Sequence, residues 1–374
     1  MAEPSVINPA TPRYAVVTGA NKGIGFEICR QLASEGITVI STARSEKRGT
    51  DAQERLKELG LSDNVVFHQL DVLDPATIAS LFEFIKAKYG RLDILVNNAG
   101  ISGIGLDGDV LILQETIERD GGSLLLGRKP EPVQPKASGT IFETREDAEQ
   151  CVETNYYGSK RVTEALIPLL KLSDAPRIVN VSSALGNLRP EPVQLKANGT
   201  LTETLEGAEE CIRTNYYGVK RVSEALIPLL QLSDSPRIVN VSSILGNLRL
   251  LCNERAKGVL SNEESLTEEK VDEVVQEFLK NLKEGALQAN DWPTQLAAYK
   301  VSKAALNAYT RIMAQKYPSF CINCVCPGFA RTDITCNLGP LSASEAAESP
   351  VRLALLPDGG PSGLYFYRKE RLSF

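Results

Sequence analysis

Histidine is almost missing from this chain: its 374 residues include one, His68, alongside one tryptophan and two methionines. A metal centre would therefore have to rest on cysteines with no histidine near them in sequence. Long apolar runs are missing too, since none approaches the roughly 18 residues of a membrane span. The opening stretch MAEPSVINPATPRY has no apolar signal-peptide core and reads as a short loose arm. Neither sign of charge dominates; a net charge of −6 and a pI near 5.3 leave no nucleic-acid footprint. These absences point to a cytoplasmic protein with neither nucleic acid nor a membrane as its partner.

Hydrophobic residues at 43% and charged residues at 24% are ordinary for a soluble globular chain. The length allows one large domain or two smaller ones. Eight cysteines without a secretory signal suggest free thiols in a reducing compartment. Cys321, Cys324 and Cys326 have a superficial metal-ligand look, but the run FCINCVCPG reads as a buried strand of thiols. His68 lies in NVVFHQL, another strand-like run, where core or edge packing is expected. Asn-x-Ser/Thr sequons occur at Asn180, Asn198 and Asn240, two of them inside predicted strands.

The stretch LAAYKVSKAALNAYTRIMAQ, Leu296 to Gln315, is rich in helix formers. It places Tyr299 and Lys303 one turn apart on one face. A phenol has an unperturbed pKa of about 10, and a cation one turn away favours the phenolate and lowers that value. A Tyr beside an ammonium therefore suits proton donation to a nascent alkoxide. The same spacing recurs at Tyr156/Lys160, Tyr216/Lys220 and Tyr365/Lys369, so context must choose among them.

The segment YAVVTGANKGIGFEICRQLASEG reads as strand, glycine turn and helix. Gly19, Gly23 and Gly25 sit where backbone N–H groups and a helix N-terminus hold a pyrophosphate. ITVIST is the next strand and ends at Arg44, where a carboxylate would select the ribose 2′-hydroxyl of NAD. Arg44, with Lys22 in the glycine turn, suits a 2′-phosphate instead and favours NADPH. NVVFHQLDV, a helix from Pro75 to Tyr89 and LDILVNNAG follow. This alternation predicts a parallel sheet with helices on both faces. Asp71 and Asn97-Asn98-Ala99-Gly100 fall at strand ends, where such sheets bind ligands.

Five motifs stand in order: Thr18-Gly19-x-x-x-Gly23-x-Gly25, Asn97-Asn98-Ala99-Gly100, Ser-Ser-x-x-Gly, Tyr299-x-x-x-Lys303 and Pro327-Gly328-x-x-x-Thr332. In these the chain resembles the short-chain dehydrogenases/reductases, and among them the plant carbonyl-reductase branch of menthone/neomenthol and salutaridine reductases. The resemblance runs from Tyr14 to Phe374. It implies one NADP-binding Rossmann domain over residues 1–374, an α/β doubly wound parallel sheet with an inserted helical segment before the catalytic helix. It further implies cofactor contacts from Thr18, Gly19, Asn21, Lys22, Gly23, Ile24, Gly25, Arg44, Asp71, Val72, Asn98, Ala99, Gly100, Tyr299, Lys303, Pro327, Gly328 and Thr332. Thr332 is expected near the nicotinamide carboxamide.

Residues 130–189 and 190–249 are a tandem repeat that differs at 14 of 60 positions. Each copy carries one helical pattern and one strand, RIVNVSS, which the family uses once. One copy is expected in the core slot beside the cofactor. The second is favoured because it runs directly into the downstream segment, making Ser243 and Asn215 the catalytic pair; the alternatives are Ser183 and Asn155, or a hybrid of the two copies. The surplus copy then packs outside, extends the sheet or binds a partner.

Between Ser243 and Tyr299 lie 55 residues, including a helical insertion over about 250–292. Ser265-Leu-Thr-Glu268 reads as a capping box, followed by the apolar stripe Val271, Val274, Val275, Phe278, Leu279 and Leu282. By resemblance this insertion covers an assembly surface and implies a monomer. Trp292-Pro293, the capped helix and the loop after Thr332 are expected to line an apolar substrate pocket.

The function so implied is reversible, NADPH-dependent reduction of a ketone or aldehyde, on a terpenoid or alkaloid skeleton by resemblance. Tyr299 would protonate the oxygen, Ser243 would donate to it, Lys303 would tune Tyr299 and bind the ribose, and Asn215 would position a relay water. The competing expectation is an NADPH-binding scaffold whose duplication has unseated the catalytic Ser or Asn.

Overall fold

The computed structural model describes residues 12–101, 105–108, 139–142, 150, 152–181, 204–233, 235–335 and 337–374. The first half follows the predicted alternation: β1 (Tyr14–Val17), α1 (Gly23–Ser34), β2 (Thr38–Ala43), α2 (Glu46–Glu58), β3 (Val65–Gln69), α3 (Pro75–Lys88) and β4 (Ile94–Asn97). Pro75 opens α3 at a position where its missing N–H matters least, and Asp74 caps it by accepting from Ala76 N. A small antiparallel pair, β5 (Gly105–Gly108) and β6 (Gly139–Phe142), follows.

The first repeat supplies a π-helical turn (Val152–Gly158), α4 (Ser159–Leu170) and β7 (Arg177–Asn180). The second supplies α5 (Leu205–Ile212), a matching π-helical turn (Arg213–Gly218), α6 (Val219–Leu230) and β8 (Arg237–Val241). Then come α7 (Glu254–Ser261), α8 (Glu268–Lys283), α9 (Ala297–Lys316), β9 (Cys321–Cys326), α10 (Ala343–Ala354), β10 (Tyr365–Tyr367) and β11 (Glu370–Leu372).

The main sheet runs β11-β10-β9-β8-β7-β4-β1-β2-β3 and is parallel apart from β11. Both repeat strands are in it, side by side and in register, Arg177 opposite Arg237 and Asn180 opposite Asn240. The expectation that a single copy fills the core slot is thus corrected. The surplus strand extends the sheet from within, between β4 and β8, not at an edge. The physical reason is that RIVN is apolar on both faces: Ile178 joins one core with Ile238, and Val179 joins the other with Val239. A strand that is apolar on both sides is most stable where both are covered.

The helix layers make the same accommodation. α4 packs on α3, and α6 lies between α4 and α9. α1 and α10 pack together on the opposite face. α9 is buried along its length from Ala297 to Met313, with Ala298, Ala304, Ala305 and Ala308 permitting close approach. A helix covered on all sides reads apolar or small all round.

In the insertion, Val271, Val274, Val275 and Phe278 are buried as the stripe predicts, with Leu279 and Leu282 packed against the same core. The cap differs from expectation. Thr267, not Ser265, caps α8 by accepting from Lys270 N, and Glu268 instead reaches Lys220 and Lys316. Trp292 is buried edge-on against Phe278 at 5.3 Å and so braces the insertion from inside. His68 sits on the edge strand β3. Cys321, Cys324 and Cys326 are buried free thiols of β9. Among the described residues no helix is long and apolar enough to cross a membrane.

Candidate active site

Because β1 to β4 and β7 to β9 are parallel, their C-terminal ends share one edge, and there a cleft of about 1000 Å³ opens. One end is the glycine turn. Gly19 has φ +64°, a left-handed backbone, and a Cβ there would lie 2.8 Å from Ala99 Cα. A Cβ on Gly25 would lie 2.3 Å from Asn98 Nδ2. Asn98 locks this packing by donating to Thr18 O at 2.9 Å and Gly19 O at 3.1 Å. Thr18 Oγ1 in turn accepts from the N–H groups of Asn98 and Ala99.

This turn delivers the N-terminus of α1 into the cleft. Lys22, at its N-cap, makes no side-chain cap, and no acidic residue occupies the first turn. Unsatisfied N–H groups at a helix start, with the positive end of its dipole, suit a pyrophosphate. The residues therefore fit a nicotinamide dinucleotide. Arg44 is exposed where β2 ends, and Arg48, one turn into α2, lines the same region of the cleft. Arg48 escaped the sequence reading although it stands four residues past Arg44. Lys22, expected beside Arg44, is instead ion-paired with Asp333. That pair ties the glycine turn to the loop after β9 and holds the Asp333 carboxyl below its ordinary range. Thr332 faces Gly23 across the same junction.

At the other end stand Ser243 and Tyr299. Ser243 follows β8, where Ser242 N donates to Val325 O at 2.7 Å and Tyr365 OH donates to Ser243 O at 2.8 Å. Its Oγ accepts from Leu245 N at 3.2 Å, and Ser243 and Tyr299 both line the cleft. The neighbouring Gly246 is what lets α9 come this close: a Cβ on it would lie 2.7 Å from the carbonyl carbon and the Cβ of Lys303. Lys303 Nζ donates to Val241 O at 3.1 Å and lies 5.8 Å from the centre of the Tyr299 ring.

Electrostatically the pair departs from expectation. Burial pushes the Tyr299 phenol well above its ordinary value, with the Ser243 hydroxyl as the opposing influence. Burial also lowers Lys303 to about 8. Desolvation is the largest influence on both groups, and the expected acidification of the phenol by the ammonium is not among the influences on Tyr299. The phenol is thereby kept protonated at neutral pH, the state a proton donor needs.

The other three Tyr-x-x-x-Lys pairs are occupied elsewhere. Tyr216 OH donates to Asp272 at 2.7 Å and Lys220 pairs with Glu268 and Asp272, fastening α6 to α8. Tyr156 accepts from Arg221, while Lys160 lies beside Glu164. Tyr365 supports Ser243, and Lys369 pairs with Glu348.

Of the sequence-predicted residues, Gly19, Asn21, Lys22, Gly23, Ile24, Gly25, Arg44, Asp71, Val72, Asn98, Ala99, Gly100, Ser243, Tyr299, Pro327, Gly328 and Thr332 line the cleft. Thr18 and Lys303 brace it from behind. The two asparagines take different places. Asn215 is fully buried and donates to Ser302 Oγ of α9 at 3.2 Å, away from the cleft. Its counterpart Asn155 lines the cleft, donating to Ile101 O at 3.0 Å and accepting from Ile101 N at 2.9 Å. Both lie in the π-helical turns, a backbone form found often at functional positions. Ser183 and Asn198 lie outside the described residues. The expected lining by Trp292 and α8 is not seen; of that set only the loop after Thr332 reaches the cleft, through Asp333, Ile334, Thr335 and Asn337.

The family model for short chain dehydrogenases matches residues 13–118. The chain is 52% identical to (−)-isopiperitenone reductase of Mentha piperita, over 96% of this chain and 98% of that protein. It is 49% identical to (+)-neomenthol dehydrogenase of Capsicum annuum, over 96% of each. It also matches the solved menthone neomenthol reductase of Mentha piperita with TM-score 0.61 and 50% identity, covering 96% of this chain and all of that one. The chain therefore belongs to the short-chain dehydrogenase/reductase family, as an oxidoreductase acting on C=O/CH–OH groups with a nicotinamide cofactor.

Proposed function

We propose that this chain reduces a small-molecule ketone or aldehyde to an alcohol with NADPH. The observation that carries the reading is the buried Tyr299, lining with Ser243 one end of a cleft whose other end is an uncapped helix start. Bound NADPH would supply a hydride to the carbonyl carbon. Tyr299 gives its proton to the oxygen, and Ser243 Oγ donates to that oxygen as charge develops. Lys303 stabilises the phenolate left behind. Burial of the phenol favours reduction over alcohol oxidation near neutral pH, because oxidation starts from the phenolate.

Arg44 and Arg48 support the choice of the 2′-phosphate, as two cations at the end of the cleft where the adenosine belongs. The pairing of Lys22 with Asp333 shifts that task onto the arginines. The names of the relatives, salutaridine reductase of Papaver bracteatum at 44% identity among them, support a terpenoid or alkaloid ketone as substrate. The insertion packed on α9 supports a monomer.

Tyr299→Phe tests the reading. It is expected to lower ketone-dependent NADPH oxidation by about 10² to 10⁴-fold while leaving NADPH binding intact; reduction at the unmutated rate refutes it. Arg44→Asp should move the NADPH/NADH ratio of kcat/KM toward NADH, and an unchanged ratio counts against the phosphate argument. A second reading, an NADPH-binding protein with little turnover, is favoured by one observation: β7 stands between β4 and β8.

A further inference from the structure

We propose that β7 is a spacer inside the reaction cleft, holding the dinucleotide-binding end one strand away from Ser243 and Tyr299, so that hydride transfer and not cofactor binding is this chain's weak step. The inference rests on the cofactor reading above.

The repeat itself reveals the displacement. Asn155 and Asn215 are the same residue in two copies, yet they meet different neighbours: Ile101 beyond β4, and Ser302 on α9. The strands divide in the same way. β4 pairs with β7, while β9 pairs with β8. In a chain with one copy, a single strand would meet both β4 and β9, and its serine would stand next to Asn98-Ala99-Gly100. Here Val181 follows β7, the strand beside β4, and lines the cleft, while its counterpart Val241 and the serine beyond it, Ser243, stand at the end of β8, one strand further over.

Adjacent strands lie about 4.8 Å apart. The added step runs across the cleft floor, along the line from the glycine turn to Tyr299. Reacting atoms must come within about 3 to 3.5 Å, and a misplacement of about 1 Å can cost 10²-fold in rate. Neither end can slide to close the gap. Gly19 and Gly25 are wedged against Ala99 and Asn98, and Lys303 is wedged against Gly246. A dinucleotide held at the start of α1 would therefore meet Val181 and Asn155 on the way to the phenol.

Two excisions test this, one of residues 130–189 and one of residues 155–214. Each removes one helix-strand unit and joins equivalent repeat positions, which gives two independent chances of folding. The full chain and both shortened chains are titrated with NADPH by its fluorescence and assayed with a panel of cyclic ketones. The expected result is unchanged NADPH affinity and a kcat raised on the order of 10²-fold or more. A shortened chain that binds NADPH but turns over no faster than the full chain overturns the spacer. Should neither fold, the full chain decides: deuterium at the transferred C4 position of NADPH must slow kcat, and a kcat indifferent to deuterium overturns the proposal. Equal turnover in full and shortened chains, lost on Tyr299→Phe, sinks the spacer and keeps the carbonyl-reductase reading. NADPH binding without reduction of any ketone in any chain sinks both.

Discussion

Asn180 and Asn240, sixty residues apart in the chain, lie side by side in the sheet, Asn180 Nδ2 donating to Asn240 Oδ1 at 3.4 Å. The row continues on both sides. Asn97 Nδ2 donates to Asn180 Oδ1 at 3.1 Å, and Asn240 Nδ2 donates to Thr310 Oγ1 at 3.2 Å on the catalytic helix. Duplication of a strand that carries a buried asparagine would ordinarily leave a polar group to be satisfied; in-register pairing lets the two copies satisfy each other. Asn180→Leu should therefore destabilise the protein by about 1 to 3 kcal/mol, since the Asn240 acceptor is left buried. Urea unfolding followed by circular dichroism measures it, and an unchanged midpoint would place Asn180 outside this row.

The same register has an unfavourable consequence at the other end of the strands. Arg177 and Arg237 face each other, both buried. Arg237 has Asp358 at 2.8 Å. Burial first, and Arg237 next, lower Arg177 to about 10. Like charges directly opposite in neighbouring strands repel, and Arg177 Nε has no partner. Arg177→Met, which keeps the apolar stem, should raise stability by about 1 to 3 kcal/mol. A lower melting temperature in this variant would show that Asp93 and Asp358 outweigh the repulsion.

Much of this was legible in the sequence. β1 to β4, α1 and α3 follow from local pattern: alternating apolar runs, a glycine turn and an Asp-Pro helix start. Tyr299 and Lys303 follow from helical spacing and motif order. The position of the surplus copy was not legible, because two nearly identical segments compete for the same neighbours and periodicity cannot rank them. Only the sheet register shows that both are seated, with Asn155 at the cleft and Asn215 against α9. The cap of α8 was missed for a related reason. Ser265 and Thr267 both suit an N-cap, and the choice was made by Lys220 and Lys316, distant residues that draw Glu268 away. Trp292 is expected in the substrate pocket, whereas Phe278 takes it into the core.

Gly246 sets how closely α9 approaches the sheet. Gly246→Ala forces a methyl group to within 2.7 Å of Lys303 backbone and side-chain atoms, both in rigid surroundings. α9 must shift outward, carrying Tyr299 with it. The expected outcome is a loss of about 1 to 3 kcal/mol in stability and a fall in kcat larger than any rise in the KM for NADPH, because the glycine turn at the other end of the cleft is untouched. Steady-state kinetics at saturating ketone separate the two; an equal effect on both parameters would mean the whole cleft had rearranged.

Lys303 should leave a signature in the dependence of stability on pH. Its ordinary value is 10.5, and burial lowers it to about 8 in the folded chain. Below about 8 both states hold the proton, and the folded state carries the full penalty of a buried ammonium. Between about 8 and 10.5 the unfolded chain binds more protons than the folded one, so this group's contribution to stability rises with pH. Cys324 and Tyr365, held protonated by burial, work in the opposite sense above their ordinary values, which is why the wild type alone is uninformative. The comparison with Lys303→Met isolates the lysine. At pH 7 the methionine variant should be the more stable, and the wild type should recover on the order of 3 kcal/mol relative to it by pH 10.5. Paired denaturant titrations at half-unit pH steps read this directly, and a gap that stays constant from pH 7 to 10.5 would mean that Lys303 keeps its charge in the folded protein throughout.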